Sequence, residues 1–197
     1  ANSFAGATRL PGGALQFGGR RIKLGVFPVE IEAQGFARTA ARTAHGHGAA
    51  RLRRSLDGQK LILGIDRLDP TKGLMQRLTG FRCLLEKHAD LRRQVTMLQI
   101  AAESRTDVAS YRNLRAALDS EAGGLNADLG EAAWQPLRMV SHAADRATVA
   151  GYMRLARVGL VTPLRDGKNL VAKEYVAAHD PQDPGAGPGG PWMFVRT

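Results

Sequence analysis

Four short apolar runs, separated by stretches of helical periodicity, are the feature that most limits how this chain can fold. The runs lie at residues 61–65, 95–100, 137–140 and 158–162, and their length and composition are typical of strands buried in a parallel sheet. Strands that alternate with helices predict an α/β fold, here a Rossmann-like parallel sheet flanked by helices. Such sheets bind ligands at the carboxyl ends of their strands, which directs attention to the loops after these runs.

The helices between the runs are predicted from apolar spacing and from capping residues. After the first run, apolar residues recur at near-helical spacing as Leu74, Leu78, Phe81, Leu85 and Leu91. Ser104 or Thr106 is suited to cap a second helix, which we expect to end at the Gly123-Gly124 pair. Asp145 is suited to cap a third helix.

The sequence divides into three predicted segments. Residues 1–58 are expected to form a linker or extended segment from a domain junction, with a polar surface helix over residues 33–56 that two glycines interrupt. Residues 59–180 carry the alternating pattern and are expected to form a partial Rossmann-like domain. Residues 181–197 begin with a Gly- and Pro-rich stretch, so we predict a disordered tail and an unpaired sheet edge after the fourth strand.

Most of the excess positive charge lies outside the predicted sheet. The formal net charge is +10, and residues 1–60 carry ten Lys and Arg against three Asp and Glu, whereas residues 61–180 carry seventeen against fourteen. The densest basic run, from Arg51 to Arg54, has no interleaved aromatic residues for base stacking. We interpret it as a solvated helix face, so nucleic-acid binding is an alternative that the charge pattern does not favour.

The sequence shows no targeting or membrane signal and few residues suited to bind a metal. No segment approaches the roughly 18 consecutive apolar residues of a membrane span, and the start lacks the pattern of a signal peptide. We expect a cytoplasmic protein without a membrane partner. His45 and His47 have no further ligands clustered with them, which argues against a metal site.

The most informative local stretch is the turn and helix after the fourth run. Asp166 and Gly167 are turn-forming residues, and residues 169–178 offer good helix formers without Gly or Pro. The first N–H groups of a helix have no partner inside the helix and lie at the positive end of its dipole. This corner is therefore suited to bind an anion such as phosphate.

A second candidate anion site lies in the loop after the first run. Arg67 and Lys72 place two cations there, and both can reach a diphosphate at the carboxyl edge of the sheet. The loop has neither the spacing of a Walker A motif nor a Gly-x-Gly-x-x-Gly dinucleotide fingerprint. Two such loops on one sheet edge favour a ligand that contains phosphate.

Three collinear motifs resemble the trehalose-6-phosphate synthase family. They are Asp66-Arg67-Leu68-Asp69 with Lys72-Gly73, Ser104-Arg105 with Asp107-Val108, and Leu160 to Gly167 followed by Asn169 to Tyr175. The likeness runs from about Gly25 to Pro184, and the last motif is highly specific. Members are retaining glycosyltransferases of the GT-B type, in which two Rossmann-like domains face a cleft. The resemblance implies that this chain is an incomplete C-terminal half, with the linker and most of the nucleotide-sugar-binding domain.

The resemblance also implies a reaction and its partners. Glucose would pass from UDP-glucose to glucose 6-phosphate to give trehalose 6-phosphate, with no cofactor and no required metal. The family's N-terminal domain supplies most acceptor contacts, and nothing before Gly25 could replace it. We therefore expect no turnover from this chain alone, while the complete enzyme could be homo-oligomeric.

By the same resemblance, Arg67, Lys72 and Asp166 are the candidate catalytic residues. Arg67 and Lys72 would bind the donor diphosphate and stabilise the charge on departing UDP, and Asp166 would hydrogen-bond the transferred glucose. The other donor-binding candidates are Gly167, Lys168, Asn169, Leu170 and Val171 at the helix start and Glu174, which would bind the ribose hydroxyls. Arg105 would contact the acceptor phosphate.

Other interpretations stay open. From the residues alone, a turn-forming Asp166 and a helix-surface Glu174 with local charge partners are favoured. Two positions depart from the family pattern. Lys168 stands where the family usually has Met, and Glu103 occupies the second position of what is usually a Pro-Thr pair. Lys168 could strengthen diphosphate binding, and Glu103 could weaken acceptor-phosphate binding. A non-catalytic remnant that binds a nucleotide sugar, or a related transferase with another phosphorylated acceptor, is the alternative function.

Overall fold

The chain forms two compact units, residues 1–30 and residues 31–197. A computed structural model describes residues 6–25, 28–103, 109–166, 168–179 and 192–195. The smaller unit contains an antiparallel sheet of β1 (Thr8–Arg9), β2 (Leu15–Phe17) and β3 (Arg20–Ile22). The sequence indicated only loop or hairpin at its start, because strands this short carry little periodicity.

The larger unit is built on a parallel sheet. Its strands are β4 (Lys60–Arg67), β5 (Val95–Ala102), β6 (Leu137–Val140), β7 (Val158–Val161) and β8 (Trp192–Val195). They pair in the order β6-β5-β4-β7-β8, and every described pairing is parallel. The predicted α/β fold with a parallel sheet is confirmed, since β4 to β7 coincide with the four apolar runs to within a residue or two.

Helices cover both faces of this sheet. They are α1 (Ala33–Thr43), α2 (His47–Leu56), α3 (Leu74–Lys87), α4 (Ala109–Leu129), α5 (Arg146–Leu155) and α6 (Leu170–Ala178). One buried apolar cluster joins α3 and α4 to Ile62 of β4, and the other joins α1, α5 and α6 to Leu61 and Leu63. Because neighbouring residues of a strand point to opposite faces, the sheet is buried on both sides.

Residues 33–56 differ from the predicted surface helix. They form two helices that meet near Gly46, the N-cap of α2. α1 buries Phe36 and Ala40 and packs against α5 and α6. Both helices therefore belong to the compact unit of the sheet, although the sequence grouped them with residues 1–58.

α4 does not end at the Gly123-Gly124 pair as predicted. It continues to Leu129, because tertiary contacts favour the helix there. Leu125 is fully buried, and the side-chain amide of Asn126 donates to Leu137 O at 2.8 Å and accepts from Leu137 N at 3.0 Å. These contacts outweigh the cost of two glycines in a helix, about 1 kcal/mol each.

The sheet also continues beyond β7, where an unpaired edge was predicted. β8 pairs with β7 in the register from Val158 with Trp192 to Val161 with Val195. The prediction of a disordered tail is therefore wrong for residues 192–195, whose apolar and aromatic composition suits a strand. Residues 180–191, which hold the Gly- and Pro-rich stretch, lie outside the described residues.

Two further properties of the described residues are relevant to membrane crossing and to metal binding. No helix in them combines the length and the apolarity that crossing a membrane requires. They also contain no group of three or more His, Cys, Asp and Glu side chains placed to hold a metal ion.

Candidate functional site

The loops after β4 and β7 meet at the carboxyl edge of the sheet. The backbone N–H groups of Leu164 and Arg165 donate to Thr71 O at 2.8 and 3.2 Å. Gly73 allows the closest approach, because a Cβ at this residue would lie 2.2 Å from Thr162 O. Its φ of 65° also favours glycine. The two loops with predicted anion-binding residues are thus in direct contact.

Lys72 and Asp166 form an ion pair across this junction. Lys72 Nζ lies 2.6 Å from Asp166 Oδ2, and the two side chains are only 15% and 17% exposed. The hydrogen bond from Lys72 is the main reason that the pKa of Asp166 is lowered from its ordinary value of 3.8. Asn169 Nδ2 donates to the same carboxylate oxygen at 3.2 Å. Three of the predicted site residues are therefore brought together.

α6 begins directly beside this pair. Asn169 is its N-cap and accepts a hydrogen bond from the backbone N–H of Ala172 at 3.1 Å. Leu170 and Val171 occupy the first turn, where N–H groups have no partner inside the helix. The side chain of Lys168 is exposed, and its backbone N–H donates to Asp166. Gly167 lies outside the described residues.

Arg67 is the exposed cation of the β4 loop. Its side chain is 65% exposed and lies 3.5 Å from the carboxylate of Asp69. That carboxylate also accepts from the backbone N–H and the hydroxyl of Thr71 at 2.9 and 2.7 Å. Although desolvation opposes the change, the hydrogen bonds from Thr71 lower the pKa of Asp69. Asp69 therefore fixes the loop, while Arg67 extends from it towards solvent.

Glu174 has a charge partner, as its helix-surface interpretation predicted. Arg146 Nη2 lies 3.2 Å from Glu174 Oε1, and the two side chains are 67% and 20% exposed. The same guanidinium lies 5.2 Å from the centre of the Phe36 ring, within the range of a cation–π contact. The described contacts thus link Glu174 to α5 and not to the Lys72–Asp166 pair.

The predicted acceptor-phosphate region is described only in part. Arg105 lies within residues 104–108, which are outside the described ranges. Glu103 forms an ion pair with Arg115 at 3.0 Å, and both line a cleft of about 240 Å³. Because Arg115 offsets part of the charge of Glu103, we expect less repulsion of an acceptor phosphate than the sequence alone suggested.

Arg77 is a charged residue that the sequence interpretation missed. It is buried beneath the two loops and pairs with Asp66, whose pKa is raised by burial in spite of this cation. Gly64 is the signal that could have indicated it, because a glycine inside a strand often marks the close approach of another group. A Cβ at Gly64 would lie 2.7 Å from Arg77 Nη1.

Comparison with known proteins assigns this sheet and its loops to a family. The family model of glycosyltransferase family 20 matches residues 5–185. The chain belongs to glycosyltransferase family 20. The match begins well before Gly25, so it includes the small antiparallel sheet, and it ends before β8.

Relatives in the family show how much of a complete protein is present. The trehalose-6-phosphate synthase of Sinorhizobium fredii is 44% identical over 176 residues, which are 89% of this chain and 38% of the relative. A Burkholderia xenovorans UDP-forming trehalose-phosphate synthase, solved with glucose-6-phosphate, matches with a TM-score of 0.87 and 38% identity over 90% of this chain and 40% of its own. An Escherichia coli trehalose-6-phosphate structure bound with UDP-2-fluoro glucose matches with a TM-score of 0.82 and 38% identity. The match covers 90% of this chain and 39% of the Escherichia coli chain. The chain thus spans about two fifths of these family 20 relatives.

Proposed function

We propose that this chain is the donor-binding part of a glucosyltransferase that makes trehalose 6-phosphate from UDP-glucose and glucose 6-phosphate. The observation that carries the proposal is the Lys72–Asp166 pair, 2.6 Å apart, which joins two loops at the sheet edge in a chain of family 20. Relatives solved with glucose-6-phosphate and with UDP-2-fluoro glucose support the choice of substrates.

The diphosphate of the donor would bind between the β4 loop and the start of α6. Lys72 would turn from Asp166 to a phosphate oxygen, and the exposed Arg67 would reach the same group. Both cations would then stabilise the negative charge that develops on UDP as the glycosidic bond breaks. The positive end of α6 would add to this field through the N–H groups of its first turn, at Leu170 and Val171. No metal or cofactor is needed in this proposal.

The sugar and the nucleoside would contact the other site residues. Once Lys72 binds phosphate, Asp166 could accept hydrogen bonds from the hydroxyls of the transferred glucose. Gly167, Lys168 and Asn169 would line the same corner. Glu174 would accept from the ribose hydroxyls. Arg105 stays the proposed contact for the acceptor phosphate.

The coverage favours a second, narrower function for the chain by itself. Because it spans 38% of the Sinorhizobium fredii relative, we propose turnover for the complete enzyme and donor binding without turnover for this chain. A related transferase that uses another phosphorylated acceptor stays possible, since the acceptor contacts are proposed to lie mainly outside this chain.

Titration calorimetry with UDP tests the donor site. We expect saturable binding to the chain and an at least tenfold weaker affinity for Lys72→Gln, because a charge-assisted hydrogen bond is lost. Lys87→Gln is the matched control, since Lys87 is exposed at the far end of α3, and its affinity should not change. If the unmodified chain does not bind UDP, the proposed donor site is wrong.

A second set of assays separates the classes of function. Trehalose 6-phosphate formed from UDP-glucose and glucose 6-phosphate would show that this chain is itself an enzyme. UDP binding without product is the expected result. Salt-sensitive binding of DNA or RNA that UDP does not affect would instead support a nucleic-acid-binding protein.

A further inference from the structure

One fully buried guanidinium connects three adjacent strands beneath the candidate donor site. The side chain of Arg77, on α3, is 0% exposed. Its Nη2 donates to Asp66 Oδ2 at 2.7 Å, its Nη1 to Gln99 Oε1 at 2.9 Å and its Nε to Thr162 Oγ1 at 3.0 Å. These partners stand on β4, on β5 and directly after β7, which are neighbours in the sheet.

The fold leaves room for this cation. A Cβ at Gly64 would lie 2.3 Å from Gln99 Oε1 and 2.7 Å from Arg77 Nη1, so a larger residue in the middle of β4 would displace the guanidinium. A planar guanidinium has donors in several fixed directions, which an ammonium group does not have. The three-strand connection therefore depends on arginine together with the glycine beside it.

Arg77 also forms hydrogen bonds with both residues at the contact between the two loops. Its backbone N–H donates to Gly73 O at 3.0 Å, and its side chain holds the hydroxyl of Thr162. The carbonyl oxygen of Thr162 is the atom that a Cβ at Gly73 would strike. Lys72 precedes Gly73, and Asp166 lies four residues after Thr162, so Arg77 is bonded to both ends of the junction that brings these two side chains together.

We propose that Arg77 is a positioning residue for the donor diphosphate: through Thr162 it fixes the spacing of the β4 and β7 loops, and thereby the placement of Lys72 and Asp166. The identity of the ligand as a diphosphate rests on the proposed function, whereas the role of Arg77 in spacing the two loops does not. A purely structural Arg77 would stabilise the sheet and leave the geometry of the Lys72–Asp166 pair unchanged. The two roles therefore differ in what happens when only the Thr162 bond is removed.

Thr162→Val is the variant that separates them. It removes the acceptor hydroxyl while keeping the branched shape, and Arg77 keeps Asp66 and Gln99 as partners. Thr162→Ser, which retains a hydroxyl, is the matched control. On the full 197-residue chain, we would measure UDP affinity by calorimetry and the titration midpoint of the Asp166 carboxyl group by ¹³C NMR, with melting temperature as the measure of stability.

The positioning role predicts that Thr162→Val binds UDP about tenfold more weakly and that its Asp166 midpoint rises towards the ordinary value, while Thr162→Ser stays close to the unmodified chain. A Thr162→Val protein that melts earlier but keeps both its UDP affinity and its Asp166 midpoint would overturn the inference. If the unmodified chain does not bind UDP, the proposed function fails, and the Asp166 midpoint alone decides the positioning role: a shift supports it, and no shift overturns it.

Arg77→Lys provides a second variant that retains the buried charge. It keeps a cation for Asp66 but cannot bridge three strands with one group. We expect it to resemble Thr162→Val in the Asp166 titration. An unchanged Asp166 titration in a folded Arg77→Lys protein would contradict the proposal. If this variant does not fold, the comparison of Thr162→Val with Thr162→Ser decides the question by itself.

Discussion

At one end of the candidate site Arg77 and Asp66 pair inside the protein, and at the other end Arg146 and Glu174 pair at its surface. The buried pair is 0% and 4% exposed, and the surface pair is 67% and 20% exposed. Water can replace either partner of the surface pair. It cannot reach the buried pair, so removal of one partner there leaves an uncompensated group.

The contrast separates two ways of building a binding site. The end near Lys72 and Asp166, where we propose that the diphosphate binds, is held by contacts that the fold itself requires, so the spacing of its loops is set before a ligand arrives. The end near Glu174 is held by an ion pair that water and salt weaken, so its side chains could rearrange around the proposed nucleoside at little cost. Stability should therefore respond to changes at the first end, and affinity alone to changes at the second.

The largest expected effect comes from removing one arginine of each pair. Arg77→Met should cost about 3–5 kcal/mol of unfolding free energy, because it leaves the carboxyl group of Asp66 buried without its cation. Arg146→Met should stay within about 0.5 kcal/mol, as is usual for exposed pairs. Urea unfolding of both variants measures the difference, and similar losses would contradict the contrast.

A double variant and a change of pH identify the cause of the loss. Arg77→Met combined with Asp66→Leu should recover part of the stability, because no charged group is then stranded. Burial raises the pKa of Asp66 although Arg77 lowers it, so removing Arg77 should raise this pKa further. The loss in Arg77→Met should accordingly be largest where the stranded carboxyl group is ionised, and it should shrink as the pH falls through the pKa that Asp66 has in the variant.

The second effect tests the contact between the two loops. Gly73→Ala combines a φ of 65° with a Cβ that would lie 2.2 Å from Thr162 O. Gly58→Ala is the control, since Gly58 has a φ of 81° with nothing within 4 Å of a Cβ. We expect about 1 kcal/mol for Gly58→Ala from the backbone conformation alone and about 3 kcal/mol for Gly73→Ala, measured by urea unfolding. Equal losses would show that the loops separate without cost.

The same two loops show what the sequence could predict. Apolar runs located β4 and β7, and turn residues located the loops, so the sequence alone could place Lys72 and Asp166 on one edge of the sheet. Their direct pairing could not be predicted, because 94 residues separate them along the chain and only the folded loops bring them together. Family resemblance supplied the roles of these residues, which periodicity and charge do not contain.

Arg77 shows why the rest could not be predicted. Arginine in a helix is most often exposed, and the apolar residues around it gave no hint that its side chain points into the sheet. Its partner Thr162 lies 85 residues away. The same holds for α4, where contacts with other elements carry the helix past two glycines that local propensity treats as an end.

The third effect concerns pH and lies between the two extremes, because Lys72 and Asp166 are mostly shielded but still reach solvent. The folded pKa of Asp166 is depressed below 3.8, so the pair stabilises the fold above that value and the contribution disappears as the pH falls through the folded pKa. Lys72→Gln should cost less than about 1 kcal/mol near neutral pH. Its unfolding free energy should converge with that of the unmodified chain in acid, and a constant gap at every pH would contradict the pairing.

The smallest effect belongs to Lys168, which stands where the family resemblance implied a methionine. We expect its exposed side chain to attract a diphosphate at long range, whereas its backbone N–H donates to Asp166 and this contact survives substitution. Lys168→Met should therefore weaken UDP binding about twofold at low salt, equivalent to about 0.4 kcal/mol, and by nothing measurable at high salt, where such attraction is screened. Calorimetry at both salt concentrations, with Lys87→Met as the control, measures this. Unchanged affinity at low salt would remove Lys168 from the donor site, and a loss that persists at high salt would mean that this exposed lysine binds the ligand directly.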